Sequence, residues 1–270
     1  MAPYIFGKRN TIHIIDIRET VKGLLRARKY ISQVVAGGKA ILFVGTKRQA
    51  KHQIQEQATR VNMPFVCERW LGGTLTNFRT IRSRLTRLDE LEAAVADGTA
   101  MEYSKKMIAS RTRELRKIKR NLEGIRSMTT LPGAVVVIDV QRERNAVCEA
   151  KKLGIPTICL IDTDSDPDYA DLPIPGNDDA MRGIEAILTH LADAVEEGLR
   201  GRATREAEEA EAVKVAQAKR KSEREAAALA EEAAKAATIA GEVDAGADVV
   251  SSANEGLAPA TATDPEPTPQ

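Results

Sequence analysis

The apolar positions change period twice in the first third of the chain. Val21, Leu24, Leu25, Ile31, Val34 and Val35 recur at helical spacing, which predicts a helix over 18–36 with these residues on one buried face. Gly37-Gly38 stop it. Ala40–Val44 is a short unbroken apolar run, the pattern of a parallel strand buried on both faces. From Gly45-Thr46 a second helix runs to about Asn62, with Ala50, Ile54, Ala58 and Val61 turned inward, and Phe65-Val66-Cys67 follows as a second strand. Strand, helix, strand is the grammar of an α/β fold with a parallel sheet and right-handed crossovers.

Between Thr76 and Arg126 the strand pattern disappears. Phe78, Ile81, Leu85 and Leu88 recur at three and four, and after Asp97-Gly98 the recurrence resumes at Leu115, Ile118, Leu122 and Ile125. Two apolar seams joined at a Gly turn predict an antiparallel coiled-coil hairpin inserted in the sheet domain, projecting because its outer faces are charged. The sheet resumes at 134–139, a helix follows to about Leu153, and Gly154-Ile155-Pro156 closes it. Thr157–Ile161 reads as a strand, 162–170 as a polar loop, and Leu172-Pro173-Ile174 as a short edge strand. Asp178 and Asp179 open a last helix running to Leu199, their carboxylates suited to its N-terminus. From Arg200 the chain is rich in Ala, Glu, Lys and Arg, helical to about Ala237, and 241–270 is expected to be disordered. The expected division is an α/β domain of 1–75 and 128–199, an inserted hairpin of 76–127, and an Ala/Glu-rich tail of 200–270 with a disordered distal part.

Composition narrows the function classes. The last of the nine aromatic residues is Tyr169, so the final hundred residues lack the material for a core. Cys67, Cys148 and Cys159 are an odd number without a disulfide framework, which fits a reducing compartment. No apolar run has the length of a membrane span, and the N-terminus has no apolar signal region, so a cytoplasmic protein is expected. The formal net charge of +1 conceals a division: residues 1–130 hold 26 Lys/Arg and 11 Asp/Glu, and residues 131–270 hold 14 and 28. A basic front half of that strength suits a polyanionic partner.

Motifs for catalysis are missing. Gly37-Gly38-Lys39-Ala40 fails as a phosphate loop, because Gln33 and Ala40 stand where Gly and Ser/Thr are required, and it precedes a strand. Asp162 to Asp168 imitates the start of a calcium loop, but Pro167 and Pro173 occupy the Gly and Glu positions. His13, His52, His190 and the cysteines lack metal-ligand spacing. No nucleophile is paired with a base, so neither a catalytic residue, a metal nor a cofactor is expected. Gly45-Thr46-Lys47-Arg48 does follow a strand and open a helix, where free N–H groups with Lys47 and Arg48 suit a phosphate, from RNA or from a small ligand.

The basic content is concentrated. Residues 105–120 carry eight Lys/Arg and only Glu114; Arg113, Arg116, Lys117 and Arg120 share one helical face, and Arg79, Arg82, Arg84 and Arg87 line the first hairpin helix. With so few acids to pair them, phosphate-backbone binding is favoured over a solvated ion-pair surface. A second basic cluster carries aromatics: Tyr4, Phe6, Lys8 and Arg9 at the start, and Arg69 beside Trp70 between strand and hairpin. Trp70 is expected to pack the hairpin base against the sheet rather than to stack on a base. The candidate RNA-binding residues are Lys8, Arg9, Lys47, Arg48, Arg69, Arg79, Arg82, Arg113, Arg116, Lys117 and Arg120.

Five blocks, in order over about residues 3–199, resemble the bacterial small-subunit ribosomal protein S2 family. They are Pro3-Tyr4-Ile5-Phe6-Gly7 with Asn10 to Asp16; Phe43-Val44-Gly45-Thr46-Lys47; Arg69 to Phe78; Pro132 to Pro156, containing Asp139 and Glu149; and Ile174-Pro175-Gly176-Asn177-Asp178-Asp179-Ala180. The resemblance implies a flavodoxin-like parallel sheet with an inserted hairpin, no catalysis and no cofactor. It implies a structural constituent of the small subunit that binds small-subunit rRNA between head and body. Its implied partners include neighbouring small-subunit proteins, among them the large mRNA-binding protein near the mRNA exit, and no membrane. Family members usually carry a helical segment with a Gly-His-Gln element ahead of the first block; here Met1 falls just before that block, by a late start or by loss of the segment. Two other classes stay open on the residues alone: an α/β enzyme or sensor taking a phosphorylated metabolite at Gly45-Thr46, and a hairpin-based protein-interaction module.

Overall fold

The computed structural model describes residues 1–97 and 104–250. The expected Gly98 turn lies outside the described residues; of the segment 241–270 expected to be disordered, 241–250 is helical and 251–270 lies outside the described residues. Met1–Glu206 forms one compact unit, and the described part of the second unit, 207–250, is helical.

The body is built on five parallel strands: β3 (Ile41–Val44), β4 (Phe65–Val66), β5 (Ala134–Ile138), β6 (Thr157–Ile161) and β7 (Leu172–Pro175). Their order across the sheet is β4-β3-β5-β6-β7. Counted from β3 this is 2-1-3-4-5, the doubly wound order in which strand succession reverses beside the first strand. Every residue of β3, β5 and β6 is buried. Such strands must be apolar throughout, because successive side chains enter opposite layers. On one side Ile41, Phe43, Val136, Ile158 and Leu160 pack against α1 (Ile17–Ala36), α2 (Arg48–Arg60) and the start of α6 (Met181–Val250). On the other, Leu42, Val44, Val135, Val137 and Cys159 meet α5 (Arg144–Lys152), Trp70 and the base of α3 (Phe78–Ala96) and α4 (Lys105–Leu122).

The structure changes the pattern-based reading in four places. First, α1 does not bury Val21 and Leu25. Its inward stripe is Gly23, Ala27, Ile31 and Val35. The helix crosses β7 so closely that a Cβ on Gly23 would lie 2.7 Å from the Pro173 carbonyl oxygen. Only small residues fit that crossing, so Val21 and Leu25, two positions to either side of Gly23, face outward. Second, residues 5–15, for which periodicity predicts no element, form an antiparallel hairpin of β1 (Ile5–Arg9) and β2 (Ile12–Ile15). Asn10 and Thr11 turn it with φ of 47° and 68°, the positive pair that a two-residue hairpin turn needs. Third, α6 starts at Met181 instead of Asp178, because the Asn177 side chain accepts the Asp179 and Ala180 N–H groups and terminates the loop there. Fourth, the tail expected to be helical to about Ala237 is continuous with α6, which runs to Val250.

α3 and α4 pack side by side, with Ile81, Leu85, Leu88 and Leu91 buried on α3 and Leu122 on α4. A 3-10 turn over Glu123–Ile125 then carries the chain back against β4. There a Cβ on Gly124 would come within 2.2 Å of the Phe65 carbonyl oxygen and 2.7 Å of its ring. Backbone cannot yield as a flexible side chain does. Gly124→Ala should therefore cost about 2–3 kcal/mol by overpacking and lower the Tm by several degrees, measured by thermal unfolding against a Gly72→Ala control, where a Cβ meets nothing within 4 Å.

Candidate nucleic-acid interface

At the carboxyl ends of the strands the loops converge on the point where strand order reverses, between β3 and β5. Doubly wound proteins bind their ligands there. Here the crevice is occupied by the protein's own charges. Lys47, just after β3, reaches Asp178 at 2.7 Å, Asp179 at 2.6 Å and Asp139 at 3.7 Å. Its side chain is only 14% exposed. Burial opposes the charged ammonium, yet the hydrogen bonds to Asp178 and Asp179 and the field of Asp139 raise its pKa above the ordinary lysine value. Three carboxylates around one ammonium leave negative charge in excess. The Asp178 carboxyl is accordingly raised, first by burial and then by Asp139 and Asp162, despite its bond from Lys47. The Thr46 N–H, free at a helix start by sequence, donates to the buried Glu143 carboxylate at 2.9 Å, and its hydroxyl donates to the same oxygen. Arg142 Nε donates to that hydroxyl at 3.0 Å. The Lys47 charge and the Thr46 donors are thus spent within the body. Arg48 stays exposed at the first residue of α2.

The loop joining β4 to α3 is fixed by one buried carboxylate. Glu149, on α5, accepts Trp70 Nε1–H at 3.1 Å, the Gly73 N–H at 2.8 Å, the Leu75 N–H at 3.0 Å, and the N–H and hydroxyl of Thr76, both at 3.2 Å. Burial penalises its charge, but these donors outweigh the penalty and hold the carboxyl below its ordinary value. Trp70 is buried against Val135 and Leu75, which places it as the packing residue the sequence suggests. Glu149 was missed as a site residue; its signal was one acid inside the inward run Ala146-Val147-Cys148-Glu149-Ala150.

The hairpin's charges separate into two populations. Along its flanks, cations are paired: Arg87 with Glu90 at 2.8 Å and Glu114 at 4.0 Å, Lys119 with Glu92 at 3.0 Å, and Arg126 with Asp89 and, at 2.9 Å, Glu92. The hydrogen bond from Lys119 holds Glu92 below the ordinary carboxylate range. Along the outer ridge of α4 the cations lack acids. Lys106, Arg116, Lys117 and Arg120 are exposed and make no ion pair among the described residues, and Arg113 donates only to the Ala109 carbonyl of its own helix. Of the remaining candidates, Arg69 and Arg79 are exposed on the loop and first turn leading into α3, while Arg82 donates to the Met128 carbonyl at 3.0 Å. Lys8 and Arg9 are exposed on β1, opposite His13 and Ile12. The candidates therefore fall on four separate elements: β1, the start of α2, α3 with the loop before it, and α4. Lys106 was missed because its helical register could be fixed only once the seam with α3 was known.

One surface has no counterpart in the sequence reading. Phe6 is 77% exposed, Ile12 70% and Ile17 75%, and Ile17, Val21 and Leu25 share one face of α1 at four-residue spacing. The thiols are unremarkable by contrast: Cys67 and Cys159 are buried, and burial pushes the Cys159 thiol up to about 12. No helix of the described residues is long and apolar enough to cross a membrane.

Fold and site define a class: a doubly wound α/β body whose ligand crevice is closed by its own charged side chains, carrying an arm of two basic helices. A family model described as Ribosomal protein S2 matches residues 1–198, and the chain belongs to that family. The chain is 66% identical over 195 residues to small ribosomal subunit protein uS2 of Rhodopirellula baltica, covering 72% of this chain and 75% of that protein. It is 50% identical over 200 residues to the uS2 protein of Syntrophobacter fumaroxidans (74% and 73% of the two chains), and 49% identical over 203 residues to that of Mycobacterium leprae (75% and 73%). The family is structural and not enzymatic.

Proposed function

We propose that this protein is a structural constituent of the small ribosomal subunit and binds small-subunit rRNA through the unpaired cations of its hairpin. Arg113, Arg116, Lys117 and Arg120 form the principal contact, assisted by Arg69, Arg79 and Arg82 at the hairpin base, by Arg48, and by Lys8 and Arg9 on β1. Lys47 serves through the ion cluster of the body and not as a phosphate contact. The observation that carries this reading is the segregation of charge: acids neutralise the flank cations and leave the outer ridge of α4 without an ion pair among the described residues. Unpaired cations in a row on an exposed helix are the requirement for phosphate neutralisation. The subunit names of the relatives supply the RNA. The protein works in the cytoplasm near the head–body junction and the mRNA exit. The exposed apolar face of Ile17, Val21 and Leu25 on α1, with exposed Phe6 and Ile12 on the β-hairpin before it, suits a neighbouring protein, the large mRNA-binding protein included, better than it suits RNA.

Reversing Arg113, Arg116, Lys117 and Arg120 to Glu should release the protein from purified small subunits at moderate salt. It should also reduce the log–log salt slope of RNA binding by about 3, as loss of four phosphate contacts requires. Co-sedimentation and slope both unchanged would refute the assignment.

A further inference from the structure

We propose that the hairpin ridge recognises the phosphate edge of double-helical RNA by its shape, without reading base sequence; the inference rests on the rRNA-binding reading above and names the form of RNA it takes. The ridge is a row. Lys106, Arg113, Arg116, Lys117 and Arg120 are exposed along one side of α4, and 14 residues separate the first from the last, about 21 Å at helical rise. Arg113, the pair Arg116-Lys117 and Arg120 succeed one another at three- or four-residue intervals, so charge recurs every turn, about 5 Å. A row of point contacts at that spacing follows a backbone; it does not enclose a nucleotide.

The ridge also lacks the means to hold unpaired bases. α4 contains no Phe, Tyr or Trp, and the ring at the start of α3, Phe78, packs against the core. Binders of single strands use such rings as stacking platforms. Between Lys106 and Arg113 the exposed residues are Met107, Ala109 and Ser110: a thioether with no hydrogen-bond donor, and two side chains too short to reach past a backbone. Asn121 is half-buried in the groove between α4, Leu71 and Arg84. Contacts from Arg and Lys alone position a protein on phosphates and carry no sequence information. Finally, the row is held straight. Lys119–Glu92 and Arg87–Glu114 tie α4 to α3, and the apolar seam lies beneath them. A rigid edge complements an A-form helix, whose deep, narrow major groove excludes side chains and whose backbones are the accessible feature.

The test uses the full chain and fluorescence anisotropy. Its probes are two RNA duplexes of equal length and unrelated sequence, and a single strand with the same number of phosphates. Both duplexes should bind within about threefold of each other, and the single strand about tenfold more weakly. Replacing Arg113, Arg116 and Arg120 with Lys should leave duplex affinity within about threefold, because phosphates accept a point charge whereas bidentate base contacts do not. Replacing them with Glu should remove the preference for duplex, with an unchanged Tm showing that the body remains folded. A single strand that binds as tightly as duplex overturns the proposal. So does a difference beyond about tenfold between the two duplexes, or loss of binding in the Lys variant. Each of these leaves the rRNA-binding reading intact; absence of RNA binding by the natural chain would overturn both.

Discussion

Glu149→Gln should lower the stability of the body by about 3–5 kcal/mol. The carboxylate accepts five donors, three of them backbone N–H groups of the loop that leads into α3. An amide keeps one acceptor and turns an NH2 toward the other donors, leaving at least two buried N–H groups unsatisfied at about 1–3 kcal/mol each. The pH dependence has a definite sign. The folded carboxyl lies below its ordinary value of 4.5. Its contribution is therefore full above that pH and is lost as pH falls through the lower folded value. Natural chain and variant should thus converge in stability as pH falls from 4.5 through that lower folded value, and urea unfolding followed by the single tryptophan, itself one of the donors, reports both. A parallel pair of curves across pH 3 to 7, to within about 0.5 kcal/mol, would remove Glu149 from this role.

Lys47→Met should cost about 3–5 kcal/mol at neutral pH, because Asp139, Asp178 and Asp179 lose the cation they surround. The ammonium itself titrates at the other end of the pH range from Glu149. The folded Lys47 pKa is raised, so its stabilisation is complete below the ordinary lysine value and is lost only as pH rises through the higher folded one. In the variant, repulsion among the carboxylates is relieved as they protonate, and the deficit should shrink on acidification. Adding Asp178→Asn should recover part of the loss at neutral pH. The RNA affinity of the folded variant should change by less than about twofold, whereas a direct phosphate contact would lower it and reduce the salt slope by about one. Affinity and slope falling together, with stability unaltered, would return Lys47 to the phosphate surface.

The contrast between these two residues shows what kind of information the chain carries. Lys47 follows a strand and opens a helix, and that local grammar is the grammar of an anion site. What cancels it lies 92, 131 and 132 residues away, at Asp139, Asp178 and Asp179, and no local pattern brings those carboxylates to Lys47. Arg113, Arg116, Lys117 and Arg120 were legible for the opposite reason. Their common face is set by helical period alone, and the scarcity of nearby acids can be counted. α1 lies between these cases. Its helix is legible, but its buried face depends on how closely it crosses β7.

The sequence by itself determined the parallel sheet, because strands buried on both faces must be unbroken apolar runs. It determined the two hairpin helices, because seams of period three and four leave few alternatives, and it determined the concentration of positive charge on the second of them. Only the tertiary structure decided which charges remain free. Pairing is a property of distance in space, and a cation's partner can lie on any element that the fold brings within about 4 Å. The free ridge of α4, the closed crevice around Lys47 and the buried carboxylate of Glu149 are three outcomes of that one rule.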